Sequence, residues 1–195
     1  MLLLFPTIIH RFQAVNFNQK ELIKYCYSEK KKDRIGLRRT NRGNSWHSKD
    51  TYMREDNLIS SILKSSISSY FIQNKIFKEK TNYCFRNAWI NINHKGASNA
   101  LHNHPASTLS GVFWVKVPKD SGDIQFDNPD KFIEYITLNH YSDQLALSTN
   151  KYGSYYVKPK EGDFLLFPSH ILHEVGENLS NEDRISISFN LHIVT

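Results

Sequence analysis

Arg184-Ile185-Ser186-Ile187-Ser188-Phe189-Asn190-Leu191-His192-Ile193 sets an apolar side chain at every second position and a polar one between. Successive side chains of a strand point to opposite faces, so a strict period of two reads as a half-buried β-strand. Upstream, Lys160-Glu161-Gly162-Asp163 makes a tight turn into the apolar run Phe164–Phe167, and Tyr155–Val157 precedes it. Ser121-Gly122-Asp123 turns into Ile124 and Phe126, Leu109–Val117 is β-rich and stops at Pro118, and Tyr83–Asn93 alternates. Many short strands separated by turn residues indicate a mainly β domain, a double-sheet jelly roll.

The pattern changes before residue 80. Asn18 is placed to cap a helix through Glu21, Leu22, Ile23 and Tyr25. Leu58, Ile59, Ile62, Leu63, Ile67 and Tyr70 recur at helical spacing. Between them Arg38–Asp50 is polar and reads as a loop, anchored by Trp46. Residues 1–195 are therefore expected to form one domain, with a mainly helical part (1–80) bracing a jelly-roll core (81–195). The irregular stretch Asp127–Gly153 is long enough to be a lid or substrate loop.

The chain has 195 residues with 39% hydrophobic content, enough for one sizeable core. Its two cysteines, Cys26 and Cys84, give no disulfide framework and suit a reducing compartment. The apolar start Met1–Pro6 has no basic leader or small-residue cleavage site, and no run reaches about 20 apolar residues, so a cytoplasmic protein with no membrane partner is expected. Residues 1–80 carry 16 Lys/Arg against 7 Asp/Glu, whereas residues 81–195 carry 9 against 12. That excess reads as a solvated basic face or as attraction for an acidic partner, nucleic acid included.

Three histidines carry the chemistry. His102 and His104 stand at i and i+2, at the end of a strand-like stretch, and His173 lies far downstream. Two histidines on one strand face, closed by a third from another strand, form a facial metal site with open positions. Arg184 sits with the polar set of its strand, two residues from Ser186. A guanidinium and a hydroxyl on one face can hold a single carboxylate. The bland alternative is an exposed Arg184 paired with Glu182 or Asp183. Asn91 and Asn93 share a face of an earlier strand and suit hydrogen bonds to a bound acid or a ligand histidine, or plain structural pairing. Trp89 and Trp114 read as packing residues, with substrate contact as the alternative, and His170 as a remote ligand candidate.

Asn87-Ala88-Trp89-Ile90-Asn91, His102-Asn103-His104-Pro105, Leu109–Val115, Gly122–Phe126, Phe167-Pro168-Ser169 through His173, and Arg184–Asn190 together resemble the 2-oxoglutarate/Fe(II)-dependent oxygenases. Thr40-Asn41-Arg42-Gly43 and Trp46-His47-Ser48 also fit that pattern, so the resemblance spans nearly the whole chain. It implies a double-stranded β-helix with iron at its open end. The reaction implied is hydroxylation of a small-molecule or peptidyl substrate with release of succinate and CO2, and ascorbate is allowed as an accessory. By position, His102 and His173 match the superfamily's histidine ligands, and Arg184 with Ser186 would hold the distal carboxylate of 2-oxoglutarate.

The chain departs from the superfamily where the usual Asp or Glu ligand is His104. Either His104 replaces the carboxylate, or the frame shifts so that His104 is the first ligand and Ala106 takes the carboxylate position, or a carboxylate such as Asp123 or Asp127 substitutes, or no competent site forms. An absent carboxylate would leave room for a halide. Three neutral imidazoles would leave the iron one unit more positive and favour an anionic co-substrate. Two other readings stand beside this one. A cupin-like three-histidine protein would leave Arg184 and Ser186 unexplained, and a basic nucleic-acid module would leave the histidines without a role.

Overall fold

Asn18 caps the first helix, α1 (Gln19–Lys32), by accepting from the Glu21 N–H. Glu21 in the first turn and Lys30, Lys31 and Lys32 in the last complement the helix dipole. The second helix, α2 (Leu58–Gln73), opens on a capping box between Asn57 and Ser60. These features come from a computed structural model, which describes residues 6–129, 140, 142–149 and 153–194.

Eleven strands follow the chain order among the described residues: β1 (His10–Gln13), β2 (Asn41–Arg42), β3 (Ser45–His47), β4 (Asn82–Asn93), β5 (Ser98–His102), β6 (Leu109–Lys116), β7 (Ile124–Asp127), β8 (Ser154–Val157), β9 (Asp163–Pro168), β10 (His173–Val175) and β11 (Arg184–Val194). They form a six-stranded sheet, β1-β9-β6-β11-β4-β3, and a five-stranded sheet, β2-β5-β10-β7-β8. Neighbouring strands pair antiparallel throughout. The expected mainly β jelly roll with bracing helices is what forms.

Two cores result. Leu22 and Cys26 of α1 and Ile59, Leu63 and Ile67 of α2 pack with Ile90, Phe113, Phe164, Leu166, Ile187 and Phe189 of the large sheet. The second core lies between the sheets, where Val112, Trp114, Leu165 and Phe167 meet Ile124, Phe126 and Ile171. Residues 164–167 are apolar without a break because alternate members enter alternate cores.

β11 departs from the half-buried strand its alternation suggests. Its apolar face enters the helix-side core, yet Arg184, Ser186 and Asn190 on the polar face are also buried. The period of two here separates two interiors rather than inside from outside.

The N-terminal part is less purely helical than expected. β1 forms an edge of the large sheet against β9. Arg38–Asp50 is not simply a loop, because β2 adds to β5 and β3 adds to β4. These strands are two to four residues long and mostly polar, so propensity alone gives no signal. Trp46 is the anchor expected, 3% exposed, with its Nε1 donating to the Asp33 carbonyl at 2.7 Å.

The expected lid at Asp127–Gly153 lies largely outside the described residues, although a short helix, α3 (Asp143–Thr149), belongs to it. Among the described residues, no helix is long and apolar enough to cross a membrane. Cys26 and Cys84 are both free, and burial pushes the Cys26 thiol up to about 12, leaving it inert.

Candidate metal centre

His102 closes β5 and His173 opens β10, and the two strands pair with these residues directly opposite each other. Their ring centroids lie 4.3 Å apart. His104 joins them, with its ring 4.9 Å from His102 and 5.3 Å from His173. One ring nitrogen from each lies within 4.8 Å of the others, a spacing that one metal ion can span. His104 arrives differently from the strand geometry expected. β5 ends at His102, and His104 lies two residues beyond, its backbone N–H donating to the Ser169 carbonyl at 2.8 Å.

Two of the rings are oriented the same way. His102 Nδ1 meets the Ala100 carbonyl at 2.7 Å and His173 Nδ1 meets the Ile171 carbonyl at 3.0 Å. In each case the acceptor is two residues upstream. The bond leaves Nε2 as the free lone-pair donor, the usual way a protein fixes a metal-binding tautomer. Burial holds all three histidines below the usual imidazole range. His173 falls to about 3 and His104 to about 4, each lowered further by neighbouring His102. They are therefore neutral at pH 7, the form that binds metal.

The histidines line a cavity shared with Trp89, Asn91, Trp114, Arg184 and Ser186. Arg184 is 1% exposed. Its Nη1 donates to the carbonyls of Ser121 and Gly176, the latter at 2.8 Å, while Nε and Nη2 have no protein partner among the described residues. Burial lowers its pKa only to about 10, so it stays charged. The bland pairing does not occur, since Asp183 binds His94 and Tyr27, and Glu182 binds Lys116. A buried cation with two unmatched donors is costly unless an anion completes it. The Ser121-Gly122 turn is part of this device. Gly122 has φ +85°, and a Cβ there would press on the Gly176 carbonyl that Arg184 uses.

The remaining candidates divide. Asn91 lines the cavity and donates to Ser188 Oγ at 3.1 Å, with its Oδ1 unmatched. Asn93 donates to Asn99 Oδ1 at 3.4 Å and does not line the cavity. Neither bonds a histidine; backbone carbonyls fill that role for His102 and His173. Trp114 packs between the sheets as expected, but also faces the cavity with an unpartnered Nε1. Trp89 belongs to neither core. It forms a cavity wall, stacked on His47 at 5.5 Å and 5.8 Å from the His104 ring. Thr40, His47 and Trp89 belong to the stretches that carry the resemblance, but sequence reasoning assigned them no role in the site; Asn99, which with Thr40 lines the cavity from the β2–β5 edge, was missed. His170 is exposed and outside the cluster. Ala106 is exposed too, and neither Asp123 nor Asp127 is in the ligand group, so the structure gathers the three histidines alone among the described residues.

The residues present fit an iron ion and a 2-oxo diacid. The neutral imidazoles would supply the metal donors, and the unmatched Arg184 nitrogens beside Ser186 suit a carboxylate.

The sequence profile of a family described as "Putative 2OG-Fe(II) oxygenase" matches residues 87–190. No curated protein is significantly similar in sequence. Among solved structures, an oxidoreductase of the 2OG-Fe(II) oxygenase family from Burkholderia pseudomallei is 15% identical with a TM-score of 0.51, over 70% of this chain and 58% of that one. The viral collagen prolyl hydroxylase of Paramecium Bursaria Chlorella virus-1, in complex with 2OG, is 14% identical with a TM-score of 0.58, over 96% of both chains. The carbocyclase SnoK from nogalamycin biosynthesis is 13% identical with a TM-score of 0.64, over 95% of this chain and 79% of that one. At these identities the likeness is one of fold.

Proposed function

The chain belongs to the 2OG-Fe(II) oxygenase family, non-haem iron oxidoreductases that consume 2-oxoglutarate, and we propose that it is a hydroxylase that holds its iron with His102, His104 and His173. The observation that carries this reading is one cavity holding both a three-histidine cluster and a buried arginine with two unmatched donors. The substrate, a small molecule or a peptidyl side chain, would be hydroxylated as 2-oxoglutarate is converted to succinate and CO2.

The chain's own residues have separable tasks. His102 and His173 present Nε2 because Ala100 and Ile171 occupy Nδ1. Arg184 offers Nε and Nη2 to the distal carboxylate of the acid, with the Ser186 hydroxyl as a further donor. Trp114 Nε1 is another buried donor lining the same cavity. Trp89, stacked on His47, supplies an apolar wall beside His104 that limits water and orients the substrate. Bound Fe(II) with 2-oxoglutarate supplies the oxygen activation that no side chain can perform. With a histidine in the carboxylate position, the protein adds no negative charge to the metal, which favours an anionic co-substrate.

The test is anaerobic titration of the Fe(II)-loaded protein with 2-oxoglutarate, following the weak visible metal-to-ligand charge-transfer band. The band should be lost in His173→Ala and should require far more 2-oxoglutarate in Arg184→Ala. Absence of a band in iron-replete wild-type protein would defeat the proposal.

A further inference from the structure

Four polar residues of the motif stretches, Asn87, Ser110, Ser169 and Asn190, are absent from the cavity wall. The structure joins them in one chain of hydrogen bonds. Ser110 Oγ lies 2.8 Å from Ser169 Oγ and donates to Asn190 Oδ1 at 2.6 Å. Asn190 Nδ2 donates to Asn87 Oδ1 at 2.9 Å, and Asn87 Nδ2 reaches Asp50 Oδ2 at 3.4 Å. A hydroxyl has one proton. Since Ser110 gives its proton to Asn190, Ser169 must be the donor to Ser110. Every donation therefore runs toward the Asp50 carboxylate, the arrangement in which successive bonds reinforce one another. Register fixes the geometry, since Asn190 stands directly opposite Ser110 on β6 and Asn87 on β4.

The inner end of this chain bears on His104. Among the described residues, no hydrogen bond to the His104 ring accompanies the carbonyl bonds that orient His102 and His173. Its location depends on its backbone, which is pinned by the N–H bond to the Ser169 carbonyl at 2.8 Å and by the turn bond from Ser107 to its own carbonyl at 3.2 Å. Ser169 is itself 1% exposed and held at its N–H by the Thr108 carbonyl at 3.1 Å, at its carbonyl by His104, and at its hydroxyl by Ser110.

We infer that Asn87, Ser110, Ser169 and Asn190 are positioning residues for His104, a buried brace that aims the one off-strand histidine at the metal. The inference rests on the proposed three-histidine site. Outer partners of metal ligands commonly contribute tenfold to a hundredfold in metal affinity, and this brace does so through a backbone bond rather than a ring bond.

Co(II) is the probe, because its visible ligand-field bands report ligand geometry without turnover. Wild-type protein and His104→Ala are compared first. Unchanged affinity and bands in His104→Ala would refute His104 as a ligand, and with it the premise. Given a weakened His104→Ala, Ser110→Ala should bind Co(II) about tenfold more weakly with altered bands. Ser66→Ala is the control, removing a buried hydroxyl on α2 that accepts from the Val15 N–H at 3.1 Å, remote from the brace. It should lower the melting temperature but leave affinity and bands unchanged. If Ser110→Ala loses stability as Ser66→Ala does while Co(II) binding stays wild-type, the brace has no positioning role. Should Ser110→Ala not fold, Asn87→Ala at the half-buried outer end is read instead. A smaller weakening with the same band change supports the brace, and none overturns it.

Discussion

Arg184 shows what a single buried side chain must satisfy. One nitrogen is spent on the Ser121 and Gly176 carbonyls, leaving Nε and Nη2 for a ligand. Lysine has the charge and three N–H donors, but all on one nitrogen, and it lacks the planar fork that serves two carbonyls from Nη1 while leaving Nε and Nη2 for a carboxylate. Arg184→Lys should therefore weaken 2-oxoglutarate at least tenfold, about 1.4 kcal/mol, in the charge-transfer titration, with Fe(II) affinity retained. The histidines make a pH prediction. Folded-state values near 3 for His173 and 4 for His104 lie below the ordinary 6.5. Between pH 6.5 and those values the unfolded chain binds more protons than the folded one, so stability falls as pH falls and is unaffected above 6.5. Each of the two should cost the metal-free protein about 1 kcal/mol per pH unit in that window, about 2 together, read from urea midpoints at pH 7 and 5. His173→Leu should roughly halve the dependence, and an equally steep slope in that variant would exclude His173 as a source.

At the scale of elements, sequence legibility followed the length and burial of each strand. β11 and β4 pair over eleven register positions, so their alternation was strong enough to read directly. β2 and β3 have two and three residues and exist because β5 and β4 offer edges, a tertiary cause with no local signature. His104 illustrates the same limit. Its i+2 spacing from His102 pointed to the right cluster for a partly wrong reason, since the strand ends before it and Ser169 sets its place. The glycine of Ser110-Gly111-Val112 is explained only by the partner strand. Gly111 stands opposite Phe189, and a Cβ there would come under 3.0 Å from the Phe189 ring and the Leu165 carbonyl. Gly111→Ala should thus destabilise by about 1–3 kcal/mol, measured as a lowered urea midpoint at unchanged slope. A wild-type midpoint would mean that β6 and β11 can separate at no cost.

The whole molecule places two different interiors on either side of one sheet. The helix-side core is almost purely apolar, whereas the inter-sheet space mixes Val112, Ile124 and Phe167 with Arg184, three histidines and unmatched amide and indole groups. The sequence carried this division as polar and apolar alternation along β11, but which polar face met which loop required the chain to be folded. Such an interior is unfinished without ligands, because buried donors and lone pairs left unmatched cost stability. Ligands that complete it bind the folded state alone and must raise its stability by mass action. Mn(II) with 2-oxoglutarate, each at about a hundred times its dissociation constant, should contribute about 2.7 kcal/mol per ligand. For a chain of this size that amounts to a melting shift of about 5–10 °C for either ligand. The two shifts should also be separable by variant. His173→Ala should abolish the metal-dependent part, and Arg184→Ala should keep it while losing the increment from 2-oxoglutarate. A shift with 2-oxoglutarate that persists in Arg184→Ala would place the acid elsewhere on the molecule and detach the arginine from the metal centre.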